Sequence, residues 1–202
     1  MSNPFGEAVA QAWARLADVS AKARSATAEA LARRRVALGF LCGAATLALA
    51  RPTAGSIAIG MSMAAVGELL RIWASGHLNK SREVTVSGPY RWVAHPLYVG
   101  SSIMGAGLAV ACASIPVAIV IALYLALTLT AAVRTEEAFL RRTFGDRYDR
   151  YRRGDAQPEK RFGLAQAMAN REYRAVIGLI VATLLLVWKA TYNGSFWRPG
   201  GP

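Results

Sequence analysis

Acidic residues are scarce in this chain of 202 residues, which has 12 aspartates and glutamates against 24 lysines and arginines. The formal net charge is therefore +12 at neutral pH. A basic excess of this size can indicate a nucleic-acid partner. Here, however, the basic residues flank uncharged segments, so membrane topology and anionic lipid headgroups account for them. We therefore expect membrane lipids as partners and no nucleic acid.

Cysteine and histidine are also rare, with two of each in the sequence. Cys42 and Cys112 both lie in apolar segments, and neither is close in sequence to a histidine. A structural zinc site, a disulfide framework or a nucleophilic triad would need more of these residues or a different spacing. We expect no metal site and interpret both cysteines as small apolar core residues.

Charged residues are missing altogether from positions 96–133. A helix needs about 20 apolar residues to cross the bilayer core, so this stretch predicts two spans that turn at Ser114-Ile115-Pro116. Further apolar segments lie at 36–50, 53–73 and 175–188. Hydrophobic residues make up 54 % of the chain. The sequence thus predicts an all-α, polytopic membrane helical bundle with about five transmembrane helices.

Basic residues are distributed unevenly between the connections of these spans. All but three lie in residues 1–35, 71–95 or 134–174; the exceptions are Arg51, Lys189 and Arg198. Cytoplasmic loops of membrane proteins are enriched in lysine and arginine, so this pattern predicts a cytoplasmic amino terminus and an external carboxyl terminus. The abundance of alanine and arginine favours a bacterial inner membrane.

Two regions are predicted. The first region covers residues 1–35, and its residues 1–32 lack the apolar core of a signal peptide. Their apolar residues recur at helical spacing, which indicates an interfacial helix, with a mobile tail as the alternative. Residues 36–202 form the predicted membrane domain, with its motifs in 60–153. Residues 134–153 are rich in helix formers and predict a cytoplasmic helix after the fourth span, with a stop at Gly145.

Three groups of polar residues are predicted to converge at the cytoplasmic face. They are Glu68 and Arg71; His77, Lys80, Tyr90 and His95; and Arg134, Glu136 and Glu137. Pro96 disfavours the α conformation at His95 and suits the first turn of the next helix. Two carboxylates opposite this constrained His-Pro segment make a site for a cationic ligand. The alternative for each residue alone is an interface anchor, or a helix-surface pair for Glu68 and Arg71.

The motifs of this chain, and the order in which they occur, resemble those of a known family. Their order runs Gly88-Pro89-Tyr90, His95-Pro96-Leu97-Tyr98-Val99-Gly100, a helical hairpin and Glu136-Glu137-Ala138-Phe139-Leu140. Over roughly residues 60–153 this series resembles the isoprenylcysteine carboxyl methyltransferase family and the related phospholipid N-methyltransferases. The resemblance implies S-adenosylmethionine as the cofactor and a lipid or small hydrophobic molecule as the methyl acceptor.

The same resemblance assigns roles to individual residues. The cofactor pocket would be lined by Tyr90, His95, Pro96, Leu97 and Tyr98. Glu136 and Glu137 would face the amino group or the sulfonium, and Arg134 would lie near the substrate entrance. One position departs from the family pattern, because Ala94 stands where the family usually has an arginine. Either another residue, with Arg91 as the candidate, replaces that arginine, or the activity differs from that of the family.

The role of the histidines depends on which group accepts the methyl. A carboxylate acceptor needs no general base, whereas an amine must lose a proton, which His95 or His77 could take near neutral pH. His95 is the predicted catalytic residue. The alternatives are a membrane reductase that uses NADPH on a sterol-like or polyprenyl substrate, and a non-catalytic membrane scaffold. No obligate protein partner is predicted.

Overall fold

The computed structural model describes residues 37, 39–79, 84–153 and 161–196, and this part of the chain is helical, without a strand. The helices are α1 (Gly39–Leu49), α2 (Ala54–His77), a 3-10 turn (Gly88–Arg91), α3 (Pro96–Cys112), α4 (Ile115–Phe144), α5 (Asp146–Arg153), α6 (Leu164–Ala169) and α7 (Tyr173–Tyr192). The predicted all-α fold is confirmed. The predicted interfacial helix within 1–35 lies outside the described residues.

Three of these helices, α2, α4 and α7, are long and apolar enough to cross a membrane. The helices α1 and α3 are apolar but shorter, in the range of 10–17 residues. Each of the five apolar segments in the sequence therefore contains a helix. The turn between α3 and α4 lies at Ala113, which has a φ of 46°. A count of five spans stays a prediction.

Helix α4 runs without interruption from the apolar span into the charged segment that follows it. No glycine or proline lies between Val117 and Phe144, so nothing in the sequence breaks the backbone hydrogen bonding. Gly145, with a φ of 46°, ends the helix at the predicted position. The short helix α5 then follows. The carboxylates of Glu136 and Glu137 are therefore held on a rigid continuation of the span.

Helices α2 and α3 pack with their backbones in contact, because glycines face each other across the interface. A Cβ atom added to Gly107 would lie 2.5 Å from the backbone of Ala64 and Gly60. One added to Gly67 would lie 2.6 Å from the backbone of Gly100 and Met104. Small residues allow this close approach of membrane helices. Gly100 and Gly107 of α3 thus pack against α2.

At the opposite end of the bundle, hydrogen bonds to backbone carbonyl oxygens join the helices. The Lys189 ammonium donates to the carbonyl oxygens of Leu47 and Ala48, which lie at the end of α1. The Arg51 amide donates to the Cys112 carbonyl at 2.8 Å. Cys112 is buried in the apolar core, as expected, and Cys42 is half-buried. This end thus ties α1, α3 and α7 together.

Candidate active site

His95 lies immediately before α3, between the two consecutive carboxylates of α4. It occupies the N-cap position with φ −132° and ψ 64°, outside the helical region, and Pro96 begins the helix. The His95 Nδ1 is 3.5 Å from Glu136 Oε2, and its Nε2 is 3.5 Å from Glu137 Oε1. The ring also stacks on Tyr98, with 5.6 Å between centroids. Local sequence and the hairpin together thus bring these predicted site residues into contact.

The two carboxylates change the proton affinity of His95. A hydrogen bond with Glu136 is the main cause that raises the pKa of the imidazole above its ordinary value, and partial burial opposes it. Glu137 raises the pKa further. Because an opposite charge favours the charged form, the site favours a cation between these two side chains.

Tyr90 lies in the 3-10 turn and is buried. Burial is the largest cause that raises the pKa of its phenol, and the charge of Glu136 is the next. The hydroxyl therefore stays neutral. The Tyr151 hydroxyl of α5 donates to the Tyr90 carbonyl oxygen at 2.8 Å, which fixes the turn from the other side. Tyr151 is not among the site residues that the sequence predicts.

An open groove of about 640 Å³ lies between the beginning of α3 and the second half of α4. Its lining residues are Trp92, Val93, Ala94, His95, Tyr98, Val99, Ser102, Leu129, Thr130, Val133 and Arg134. Of the predicted site residues, His95, Tyr98 and Arg134 thus line the groove. Tyr90, Pro96, Leu97 and the two glutamates lie beside it rather than in its wall. Ala94 lines it where the family pattern places an arginine.

A buried ionic cluster lies on another side of α3. The Arg71 Nε is 3.3 Å from Glu68 Oε2, and its Nη2 is 2.6 Å from Glu172 Oε1. The sequence predicts the Glu68–Arg71 pair, but it does not predict Glu172 or the Ser101 hydroxyl, to which Arg71 donates. The sequence signal for Glu172 is a carboxylate that lies three residues before the apolar segment at 175–188.

His77 has a separate place from the His95 site. Its Nδ1 is 3.0 Å from the Ser87 hydroxyl, and both residues are buried. A Cβ atom added to Gly88, which has a φ of +59°, would lie 2.4 Å from the His77 ring. His77 therefore packs against the loop that leads to the 3-10 turn and does not line the groove. Lys80 lies outside the described residues.

No group of three or more metal-ligating side chains that could hold a metal ion is found in the described part of the chain.

Comparison with known proteins gives the family. The sequence pattern of the phospholipid methyltransferases matches residues 43–147. A nickel-cobalt-cadmium resistance protein of Alcaligenes xylosoxydans xylosoxydans is 37 % identical over 97 residues, 47 % of this chain and 44 % of that protein. A cobalt-zinc-cadmium resistance protein of Cupriavidus metallidurans is 38 % identical over 88 residues, 43 % and 39 % of the two chains.

A protein-S-isoprenylcysteine O-methyltransferase of Schizosaccharomyces pombe is 29 % identical over 117 residues, 58 % of this chain and 45 % of that protein. The chain thus spans less than half the length of these curated relatives. No solved structure matches. The matched pattern extends from α1 to the beginning of α5 and contains the His-Pro and Glu-Glu motifs. The chain therefore belongs to the phospholipid methyltransferase family and is an integral membrane protein.

Proposed function

We propose that this protein transfers a methyl group from S-adenosylmethionine to a lipid or another small hydrophobic acceptor at the cytoplasmic face of the membrane. The observation that carries the proposal is the position of His95, between Glu136 and Glu137 and beside an apolar groove. Family membership supports the reaction class. Two relatives are named for metal resistance, and these names indicate no methyl acceptor for this chain.

The residues around His95 fit a cationic cofactor. Glu136 and Glu137 supply two carboxylates, and Tyr90 supplies a neutral hydroxyl close to them. We assign Tyr90, Tyr98 and the two glutamates to cofactor binding, together with the backbone at Pro96 and Leu97. S-adenosylmethionine, when bound, supplies a methyl group on a sulfonium that loses its charge on transfer. The chain contributes mainly by positioning the reactants and excluding water.

The groove suits the acceptor. Its wall is mostly apolar, and Arg134 gives it one positive charge that would hold a polar or anionic head. If the acceptor is an amine, the neutral imidazole of His95 accepts a proton from that amine, and the two glutamates stabilise the resulting imidazolium. If the acceptor is a carboxylate, His95 serves only to orient the glutamates.

The charge distribution supports an orientation with the amino terminus and this site in the cytoplasm, and the carboxyl terminus outside. The proposed location is a bacterial inner membrane. Residues 1–35 are the proposed cytoplasmic region, and 36–202 the membrane domain.

Binding of S-adenosylhomocysteine to detergent-purified protein, measured by calorimetry, tests the cofactor. We expect saturable binding by the wild type and its loss in His95→Ala and Glu136→Ala, because each change removes one side of the site. Asp146→Ala is the matched control, since Asp146 is an exposed carboxylate at the beginning of α5. Unchanged affinity in Glu136→Ala would refute its assignment. Absence of binding by the folded wild type would refute the cofactor, and NADPH would then test the reductase alternative.

A further inference from the structure

Residues 161–172 follow the part of the chain that the family pattern matches, and they pack on the carboxyl-terminal end of α2. The pattern itself ends at residue 147. The Asn170 amide donates to the Ser75 carbonyl at 2.9 Å and to the Leu78 carbonyl at 2.8 Å, which satisfies groups at the end of α2. This segment therefore covers the helix end that carries Arg71.

Glu172 comes at the end of this segment, at the N-cap position of α7. Its side chain makes no capping hydrogen bond to that helix. The carboxylate is buried, with its Oε1 2.6 Å from Arg71 Nη2. A buried carboxylate is costly unless a cation pairs with it. The contact with Arg71 therefore determines where the Glu172 side chain lies.

Arg71 links this carboxylate to the first turns of α3. Its Nη1 donates to the Ser101 hydroxyl and lies 3.5 Å from the Leu97 carbonyl oxygen. The stem of the side chain crosses Gly100, where an added Cβ atom would be 2.6 Å from Arg71 Cγ. These turns begin directly after His95, so a shift of Arg71 would displace the backbone that positions the imidazole.

We infer that Glu172 is a positioning residue, which holds Arg71 against the first turns of α3 and thereby keeps His95 between Glu136 and Glu137. A segment outside the family pattern thus completes the site. The effect on cofactor affinity rests on the proposed function, whereas the effect on α3 does not.

The charge balance of the cluster makes this inference testable without unfolding the protein. Arg71 contacts two carboxylates, so Glu172→Gln still leaves it paired with Glu68. The amide has nearly the same shape but lacks the charge. In contrast, removing Arg71 would leave two buried carboxylates unpaired, which is strongly destabilising. Glu172→Gln is therefore the informative variant.

Two measurements on the full-length protein in detergent test the inference. Hydrogen exchange, followed by mass spectrometry without ligand, should be faster in residues 95–101 of Glu172→Gln than in the wild type. S-adenosylhomocysteine affinity should fall by about tenfold, within the usual range of coupling between linked sites. Asn170→Ala is the matched control, because Asn170 binds the same helix end without touching Arg71. It should leave both quantities at the wild-type level.

Wild-type exchange and wild-type affinity in Glu172→Gln would overturn the inference. Equal effects in Asn170→Ala would also overturn it, since docking of the whole segment would then matter rather than the carboxylate. If the wild type does not bind S-adenosylhomocysteine, the proposed cofactor fails, and the exchange of residues 95–101 alone decides the role of Glu172.

Discussion

His95 has a charged environment that its position in the sequence only partly explains. Pro96 disfavours the α conformation at the N-cap residue His95, and this is a local effect. The carboxylates on both ring nitrogens come from α4, on the far side of a helical hairpin. In the proposed function, the imidazole and the cationic cofactor share these two glutamates as partners.

The raised pKa of His95 predicts how stability depends on pH. The folded protein binds this proton more tightly than the unfolded chain, so the stabilisation is complete below the ordinary histidine pKa of about 6.5 and is lost as the pH rises through the raised value. We expect His95→Asn to cost about 1–2 kcal/mol at pH 6 and less at pH 9. Thermal unfolding of both proteins in detergent measures the difference. A cost that grows with pH would contradict a protonated imidazole in the folded state.

At the level of helices, α2 and α3 are the most closely packed pair. Their glycines remove the side chains that would separate the two backbones, and the contact runs from Gly60 and Gly107 to Gly67 and Gly100. The Arg71 end of α2 is thereby fixed against the helix that begins after His95. The spacing of glycines along one helix does not identify the partner helix, so this pairing follows from the tertiary structure.

Two glycines of α3 give a matched pair for testing this packing. A Cβ atom at Gly107 would lie 2.5 Å from backbone atoms of α2. One at Gly105 would meet side chains, with the end of Leu125 at 2.4 Å and Ile121 at an ordinary contact distance of 3.4 Å. We expect Gly107→Ala to destabilise the protein by about 3 kcal/mol, because backbones must separate. Gly105→Ala should cost much less, since Leu125 can rotate. Thermal unfolding in detergent compares them, and equal stability of the two variants would contradict the close contact.

In the whole molecule, the described segments that are rich in basic residues and those that are poor in them lie at opposite ends of the bundle. Arg71 meets Glu172 at one end, where His95 also meets the glutamates of α4. Lys189 contacts the end of α1 at the other. The described parts of the two long basic connections therefore lie at the same end, and Lys189 lies at the other. Which end faces the cytoplasm remains a prediction from charge.

Cysteine labelling tests this orientation. In a protein with Cys42 and Cys112 replaced by alanine, we expect Asn193→Cys to react with a membrane-impermeant maleimide in intact bacterial cells. Asp146→Cys should react only after permeabilisation, because the positive-inside rule places it in the cytoplasm. Both positions are exposed in the structure, so access depends on the side of the membrane. The reverse pattern of labelling would invert the topology.

Sequence patterns alone predict the helical class, the apolar segments, the stop at Gly145 and the two motifs that contribute His95 and the glutamates. These features are local, since hydrophobic run length, proline and glycine act on neighbouring residues. Tertiary packing brings a different glutamate to each ring nitrogen of His95. It also brings Glu172 from a distant segment to Arg71. Contacts between residues far apart in the chain depend on how the helices pack, and a single sequence does not encode that packing as a local pattern.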